Sequence, residues 1–320
     1  MAELAFRTDG TFTIAQFTDT HLQDALPADD DTYALMARVI DGDRPDLVVL
    51  SGDIVHPTWS RDPVGTWRRL VAFLDGKGIP WTFVYGNHDA QEWEYAVIDG
   101  LLAEGRCSLY DRGPADLTGH GNWALPILRS GGAREIGAIV WGLDSGMGDD
   151  AKGLAWGYVA EDQVAWFRSE ADRLIGARRD GITGLLFMHN PVPQYDGLWQ
   201  TRACTGYRYE KVCMQDRDMG LFDAMQGRVV ASFVGHDHVN DYEGRLGDVD
   251  LVYGRCTGYN CYGAEGFQRG ARIIRVSVAR RGYETFIRLA DGTIAPRPVH
   301  QPGEPVVAPK GTRRAAEAGA

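Results

Sequence analysis

Residues 46–53 read DLVVLSGD, and this stretch decides the fold. Leu47, Val48, Val49 and Leu50 are apolar without alternation, so both faces of the segment must be covered, as in a buried parallel strand. The run stops at Gly52-Asp53. Its neighbours also read as strands ending at polar motifs, the first of them by alternation. Residues 11–17, TFTIAQF, lead into Asp19-x-His21, and residues 81–85, WTFVY, close at Gly86-Asn87-His88-Asp89. Between the first two runs, Leu35, Met36, Val39 and Ile40 form one face of a helix. Between the last two, Trp67, Leu70, Val71 and Leu74 form another.

Strand–helix–strand–helix–strand calls for a parallel sheet with right-handed crossovers. Sites in such sheets assemble beyond the carboxyl ends of the strands, where each polar motif falls. The pattern resumes later. Ile136 to Leu143 reads as a strand, Val164, Phe167, Ala171 and Leu174 as a helix, and Leu185 to Met188 as a strand ending at His189. Val229 to Val234 is a strand ending in Gly235-His236-Asp237-His238. Leu251–Tyr253, Arg272–Val278 and Thr285–Leu289 read as a further, more antiparallel set. The expected fold is α/β, a two-sheet β-sandwich flanked by helices, with a metal site at the carboxyl ends of the strands. One domain is expected over residues 1–295. Residues 296–320 lack a hydrophobic face and read as a disordered tail.

With 320 residues and 44% apolar content, the chain can bury a large core. The formal net charge of −11, without a long lysine or arginine run, argues against a nucleic-acid partner. No apolar stretch is long enough to cross a bilayer, and the N-terminal residues do not read as a signal peptide. The expectation is a soluble cytoplasmic protein with no membrane partner. Of the five cysteines, Cys204 with Cys213 and Cys256 with Cys261 could pair in an oxidising compartment, leaving Cys107; unpaired, partly buried thiols are the plainer reading.

The strand-end motifs supply two aspartates, four histidines and one asparagine as candidate ligands or reacting groups around Asp53. Two dications about 3.5–4 Å apart clamp an in-line displacement at phosphorus. Holding them that close needs a bridging anion, and a carboxylate supplies it. Neutral imidazoles leave enough metal charge to acidify a water. Each motif is weak alone, since Gly-Asp and Gly-Asn-His-Asp are ordinary turn sequences. Gly-His-x-His is stronger, because alternate residues of an extended segment face one way. Their joint order carries the reading.

That order, Asp-x-His, Gly-Asp, Gly-Asn-His-Asp, His, Gly-His-x-His, resembles the calcineurin-like metallophosphoesterase superfamily over roughly residues 12 to 290. Leu143-Asp144-Ser145-Gly146, Gln163 to Phe167 and Gly235 to Tyr242 resemble the branch grouped with plant purple acid phosphatases and related fungal phosphatases. The resemblance implies Asp19, His21 and His238 on one metal, Asn87, His189 and His236 on the other, and Asp53 bridging them. It implies His88 as the catalytic acid toward the leaving group. The implied activity is hydrolysis of phosphomonoesters by in-line attack of a hydroxide bridging two divalent ions (manganese, iron or zinc). Phosphodiesterase activity with the same site is the alternative, and a non-catalytic scaffold is the reading from another class. The partner is a small-molecule phosphate ester. One departure is His56, where purple acid phosphatases carry an iron-binding tyrosine, so no purple colour is implied.

His56 reads either as a contact to the site or as a loop histidine. Asp89 is expected to cap or orient its loop, Asp144 reads as a turn aspartate or a family feature, and His120 and His300 read as exposed. The irregular segment from Asn190 to Asp218 is expected to border the substrate, offering Tyr195, Arg202 and Arg208. Tyr259 and Tyr262 lie on a second candidate rim loop.

Overall fold

The computed structural model describes residues 3–131, 134–176 and 181–304. In chain order the elements begin with β1 (Leu4–Ala5), β2 (Thr11–Phe17), α1 (Pro27–Asp43), β3 (Leu47–Ser51), α2 (Pro63–Lys77), β4 (Trp81–Val84) and α3 (Tyr95–Ala103). The middle holds β5 (Trp123–Leu128), β6 (Ile136–Gly142), α4 (Glu161–Ile175), β7 (Thr183–Phe187), α5 (Gln194–Thr201), β8 (Cys204–Thr205), α6 (Leu221–Met225) and β9 (Ala231–Val234). The last strands are β10 (Glu243–Leu246), β11 (Val249–Tyr253), β12 (Gly270–Ser277), β13 (Tyr283–Leu289) and β14 (Val299–His300).

They form two sheets, ordered β13-β12-β2-β3-β4 and β1-β5-β6-β7-β9-β11-β10-β8-β14. Strands β2, β3 and β4 are parallel, as are β6, β7, β9 and β11, while β12 and β13 run antiparallel. The unbroken apolar run of β3 explains the layering. Leu47 and Val49 face the other sheet, meeting Val140, Leu185 and Phe187. Val48 and Leu50 face outward under Met36 of α1 and Trp67 and Leu70 of α2. Beyond the second sheet, Phe167 of α4 and Leu198 of α5 pack on Trp141 and Leu186. A strand covered on both faces leaves only its ends for chemistry.

Local signals set the helix limits. Asp62 caps α2 by accepting from Gly65 N–H at 2.9 Å, Pro63 opens it, and Gly78 ends it with φ at 67°. Pro27 likewise opens α1, about two turns ahead of the apolar face read from Leu35 onward.

Three expectations need correction. The supposed tail is ordered through residue 304: β14 pairs with β8, and His300 is buried, stacking on Trp199 at 3.9 Å. Backbone pairing to an open sheet edge holds it, which leaves no apolar pattern to read; residues 305–320 lie outside the described residues. His120 is also enclosed, with Nδ1 2.6 Å from Asp99 Oδ2 and its ring stacked on Tyr95. The Asn190–Asp218 segment is not structureless, since it contains α5 and β8. Among the described residues, no helix is long and apolar enough to cross a membrane.

Candidate metal centre

Strands β2, β3, β4, β7 and β9 end side by side, and the backbone turns sharply at each ligand motif. Asp19, His21, Asp53 and His236 all adopt positive φ, at 54°, 44°, 54° and 76°. Such backbone costs a non-glycine residue about 1 kcal/mol or more and persists only where the surroundings enforce it. Enforcement is visible. Asp19 N–H donates to Gly52 O, and His21 N–H donates to Asp53 O, each at 3.0 Å. The Asp89 carboxylate accepts four backbone N–H groups, from Asp53, Ile54, Val55 and Gly86. It ties the loop after β3 to the loop after β4, the orienting part expected of it.

The motif glycines permit the close approach. A Cβ on Gly52 would lie 2.5 Å from His189 Nδ1, and one on Gly235 would lie 1.9 Å from Thr18 Oγ1. No side chain fits at either position.

The seven side chains read from the sequence are all buried, and those of Asp19, His21, Asp53, His189, His236 and His238 converge. Asp53 Oδ2 lies 3.1 Å from His189 Nε2 and 3.7 Å from His21 Nε2. Asp19 Oδ1 lies 3.5 Å from His238 Nε2 and 3.8 Å from His189 Nε2. Ligand atoms of Asp19, His21 and Asp53 form one compact group and those of Asp53, His189 and His236 a second, with Asp53 common to both.

The donor set fits two cations. Nε2 atoms of His21 and His238 stand 3.2 Å apart in a buried cleft, a contact that leaves two lone pairs opposed unless a proton or cation lies nearby. Asn87 Oδ1, His189 Nε2 and His236 Nε2 are buried without a hydrogen-bond partner. Orphaned polar atoms are rare in folded proteins and cost about 1–3 kcal/mol each. His189 Nε2 lies close to Asp53, yet not in hydrogen-bonding geometry. Its Nδ1 donates to Ser51 O at 2.9 Å, which points Nε2 into the cleft as a ligand requires.

Electrostatics agree. Burial keeps His236 neutral, with its pKa down at about 3. Burial opposes charge on His189 too, but the Asp53 carboxylate outweighs it and raises that pKa to about 9. Burial likewise opposes ionisation of Asp53, and His189 beside it holds the carboxyl well below its usual range.

His88 N–H donates to Asp53 Oδ1 at 2.9 Å, and its ring Nδ1 meets Gln91 Oε1 at 2.8 Å. His56 stacks on His88 with centroids 4.4 Å apart, and Trp59 stacks on His56 at 3.7 Å. Burial, then His88, keeps His56 neutral with its pKa at about 3. His56 therefore lies within the site. Next to Trp59 opens a cavity of about 730 Å³, lined also by Gln23, Leu26, Arg61, Thr66 and Arg69.

The other expected substrate contacts are placed elsewhere. Tyr195 is fully buried, its hydroxyl donating to Ser232 O at 2.8 Å, because it anchors α5 to the sheet. Arg208 is held by Asp196 and by Glu210 O. Arg202 is exposed after α5 and donates to Thr201 O. Tyr259 lines a separate cavity with Phe267 and Arg269. Its loop does reach the centre, through its neighbours: Asn260 Nδ2 donates to His21 O at 2.9 Å, and the Tyr262 ring stacks on His238 at 4.1 Å. Reading the sequence missed Trp59, Gln91 and Trp156, whose ring meets His236 at 4.8 Å. Gln91, three residues after His88, and Trp59, three residues after His56, lie at local spacing, whereas Trp156 carried no local signal.

No disulfide joins any of the five cysteines, in keeping with the plainer reading.

The comparisons with known proteins follow the same line. The family model "Calcineurin-like phosphoesterase" matches residues 12–240. The Arabidopsis thaliana protein named "Probable inactive purple acid phosphatase 29" is 29% identical over 313 residues, spanning 87% of this chain and 80% of that protein. A dimetal phosphatase from Danio rerio superposes with a TM-score of 0.58 at 14% identity, over 86% of this chain and 98% of that one. GAP50, the anchor in the inner membrane complex of Plasmodium, superposes with a TM-score of 0.55 at 11% identity, over 92% and 90%. At those identities the two structures speak for the fold alone. With a family model spanning most of the chain and its motifs converged in one cleft, this protein belongs to the calcineurin-like phosphoesterases.

Proposed function

We propose that this chain is a phosphomonoester hydrolase using two divalent cations. Asp19, His21 and His238 would hold one and Asn87, His189 and His236 the other, with Asp53 between. Bound there, the cations supply Lewis-acid polarisation of the phosphoryl group and acidification of a water. The observation that supports this most is that Asp53 is shared by two compact groups of ligand atoms in one buried cleft.

The remaining steps belong to the protein. Asp53 accepts the His88 N–H and so fixes that histidine relative to the ligands. Gln91 Oε1 accepts from His88 Nδ1–H, which aims Nε2 away from Gln91; with a second proton on Nε2 the ring would donate to the leaving-group oxygen as acid or to developing charge. The stack of His56 and Trp59 beyond His88 leads to the cavity beside Trp59, which offers room for the leaving group. A small-molecule ester suits this space, and the acidic net charge does not suit a nucleic acid.

A second reading has a specific basis: relatives carry "inactive" in their names, and one structural neighbour is an anchor. Against it, all seven candidate ligands and His88 are present. The deciding experiment is hydrolysis of p-nitrophenyl phosphate and bis-p-nitrophenyl phosphate by metal-stripped protein reconstituted with manganese, iron or zinc. Metal-restored turnover of the monoester in excess of the diester supports the proposal. Faster diester turnover makes it a phosphodiesterase. Two bound metals without turnover of either favour the non-catalytic reading.

A further inference from the structure

The loop from Cys256 to Tyr262 lies under the ligand motifs with more precision than a connecting loop requires. Thr257 N–H donates to Thr18 O at 3.0 Å and Gly258 N–H to Asp19 O at 3.1 Å. A Cβ on Gly258 would lie 2.2 Å from Thr20 O, so only glycine allows the loop this close. Asn260 then holds the carbonyl of His21, and the Tyr262 ring covers His238. The residue between these two anchors is Cys261. Its Sγ and one ring nitrogen each of His21 and His238 all lie within 4.8 Å of one another. Two donors on one ion, at about 2.0–2.3 Å from it, stand at most about 4.4 Å apart, so the group is close to the size of a coordination sphere. His21 and His238 are 2% and 5% exposed, and each keeps Nδ1 buried without a partner.

We propose that Cys261 is a metal ligand, its thiolate joining His21 and His238 on that side of the centre. The proposal rests on the two-cation reading above and narrows it. A sulfur donor among imidazoles and carboxylates favours a borderline or softer ion such as zinc over manganese or magnesium. Cys256 has another part. Its Sγ lies 3.3 Å from Cys261 Sγ and 3.0 Å from Arg269 Nη1, while Arg269 Nη2 donates to the carbonyls of Cys261 and Tyr262. Arg269 and Cys256 thus hold the loop and its sulfur in place without entering the ligand group.

The test is spectroscopic. Metal-stripped protein and the variants C261S and C256S are loaded with cobalt(II), and bound cobalt is counted. The proposal expects a thiolate-to-cobalt charge-transfer band in the near ultraviolet for the wild type and C256S, absent in C261S. It also expects tenfold or greater weakening of one of two cobalt ions in C261S. X-ray absorption of the zinc-loaded wild type should show a sulfur neighbour at about 2.3 Å, a result independent of any variant's folding. Two cobalt ions bound with no such band, and no sulfur around zinc, would overturn the proposal while leaving the two-cation reading intact. A Cys256–Cys261 disulfide in the metal-loaded protein, seen as the loss of two hydrogens by mass, would overturn it as well. No cobalt bound at all would sink both.

Discussion

The ligand loops and the Asn190–Asp218 segment are both long, polar and irregular in sequence, yet their side chains behave in opposite ways. In the segment, the side chains expected to meet substrate are satisfied by the domain itself. Tyr195 hydroxyl bonds Ser232 O, Arg208 pairs with Asp196, and Tyr209 and Glu210 N–H groups share Asn240 Oδ1. In the ligand loops, the backbone is satisfied and strained while side-chain atoms of Asn87, His189 and His236 are buried with no partner. Chemistry belongs where folding gathers several ligand-type atoms in one buried cleft, at a cost that a bound cation can offset.

Substitutions on the two sides should differ by orders of magnitude. Asp53→Ala should disturb both cations at once and lower turnover by about 10³-fold or more, since the carboxylate serves both groups. Metal analysis is the check, and normal occupancy of two ions would remove Asp53 as the bridge. His88→Ala should leave metal content nearly unchanged while kcat falls by about 10²-fold. The loss should be greater for an alkyl phosphate than for an activated aryl phosphate. Equal, small losses on both would end its assignment as leaving-group acid.

Asp89→Ala acts on scaffolding. It strands four backbone donors, so thermal denaturation should show a loss of about 3 kcal/mol or more. A neutral outcome there would mean the strained turns hold themselves.

The pH dependence of metal uptake sharpens the comparison further. His189 has its pKa raised to about 9 in the folded, metal-free protein. The stability its proton contributes is complete below the ordinary histidine value and is lost as pH rises through about 9. A cation must displace that proton, so affinity should increase with pH up to about 9, with proton release on binding. Calorimetric titration in buffers of different ionisation enthalpy measures this, and pH-independent affinity would contradict it. The smallest effect is expected in the segment: Arg208→Ala should change turnover less than about twofold and cost roughly 1 kcal/mol of stability, since it breaks a partly buried ion pair. A loss of activity as large as that of His88→Ala would break the contrast between the regions.

How much was legible follows from what kind of pattern each feature leaves. The runs at 11–17, 46–50 and 81–85 became β2, β3 and β4 within a residue, because the alternation of the first and the unbroken apolar run of the second are both local strand patterns. β14 and β8 were not read, since two-residue edge pairings are held by backbone groups that every residue shares. In the site, Asp19, His21, Asp53, His189, His236 and His238 stood at strand ends and converge in the structure, and Asn87 after the end of β4 is buried. Tyr195, Arg202 and Arg208 were chosen for their chemistry alone, and a phenol or guanidinium is as useful in packing as in binding.

The sequence by itself determined the layered α/β fold and the place of the polar motifs, because hydrophobic periodicity and glycine-marked strand ends are local properties of a chain. Only the tertiary structure decided what gathers around those motifs: Trp59 on His56, Gln91 on His88, Trp156 on His236, and Cys261 beside His238. Two of these meetings, Trp156 with His236 and Cys261 with His238, join residues far apart in the chain, and packing geometry, to which no local pattern corresponds, brings them together.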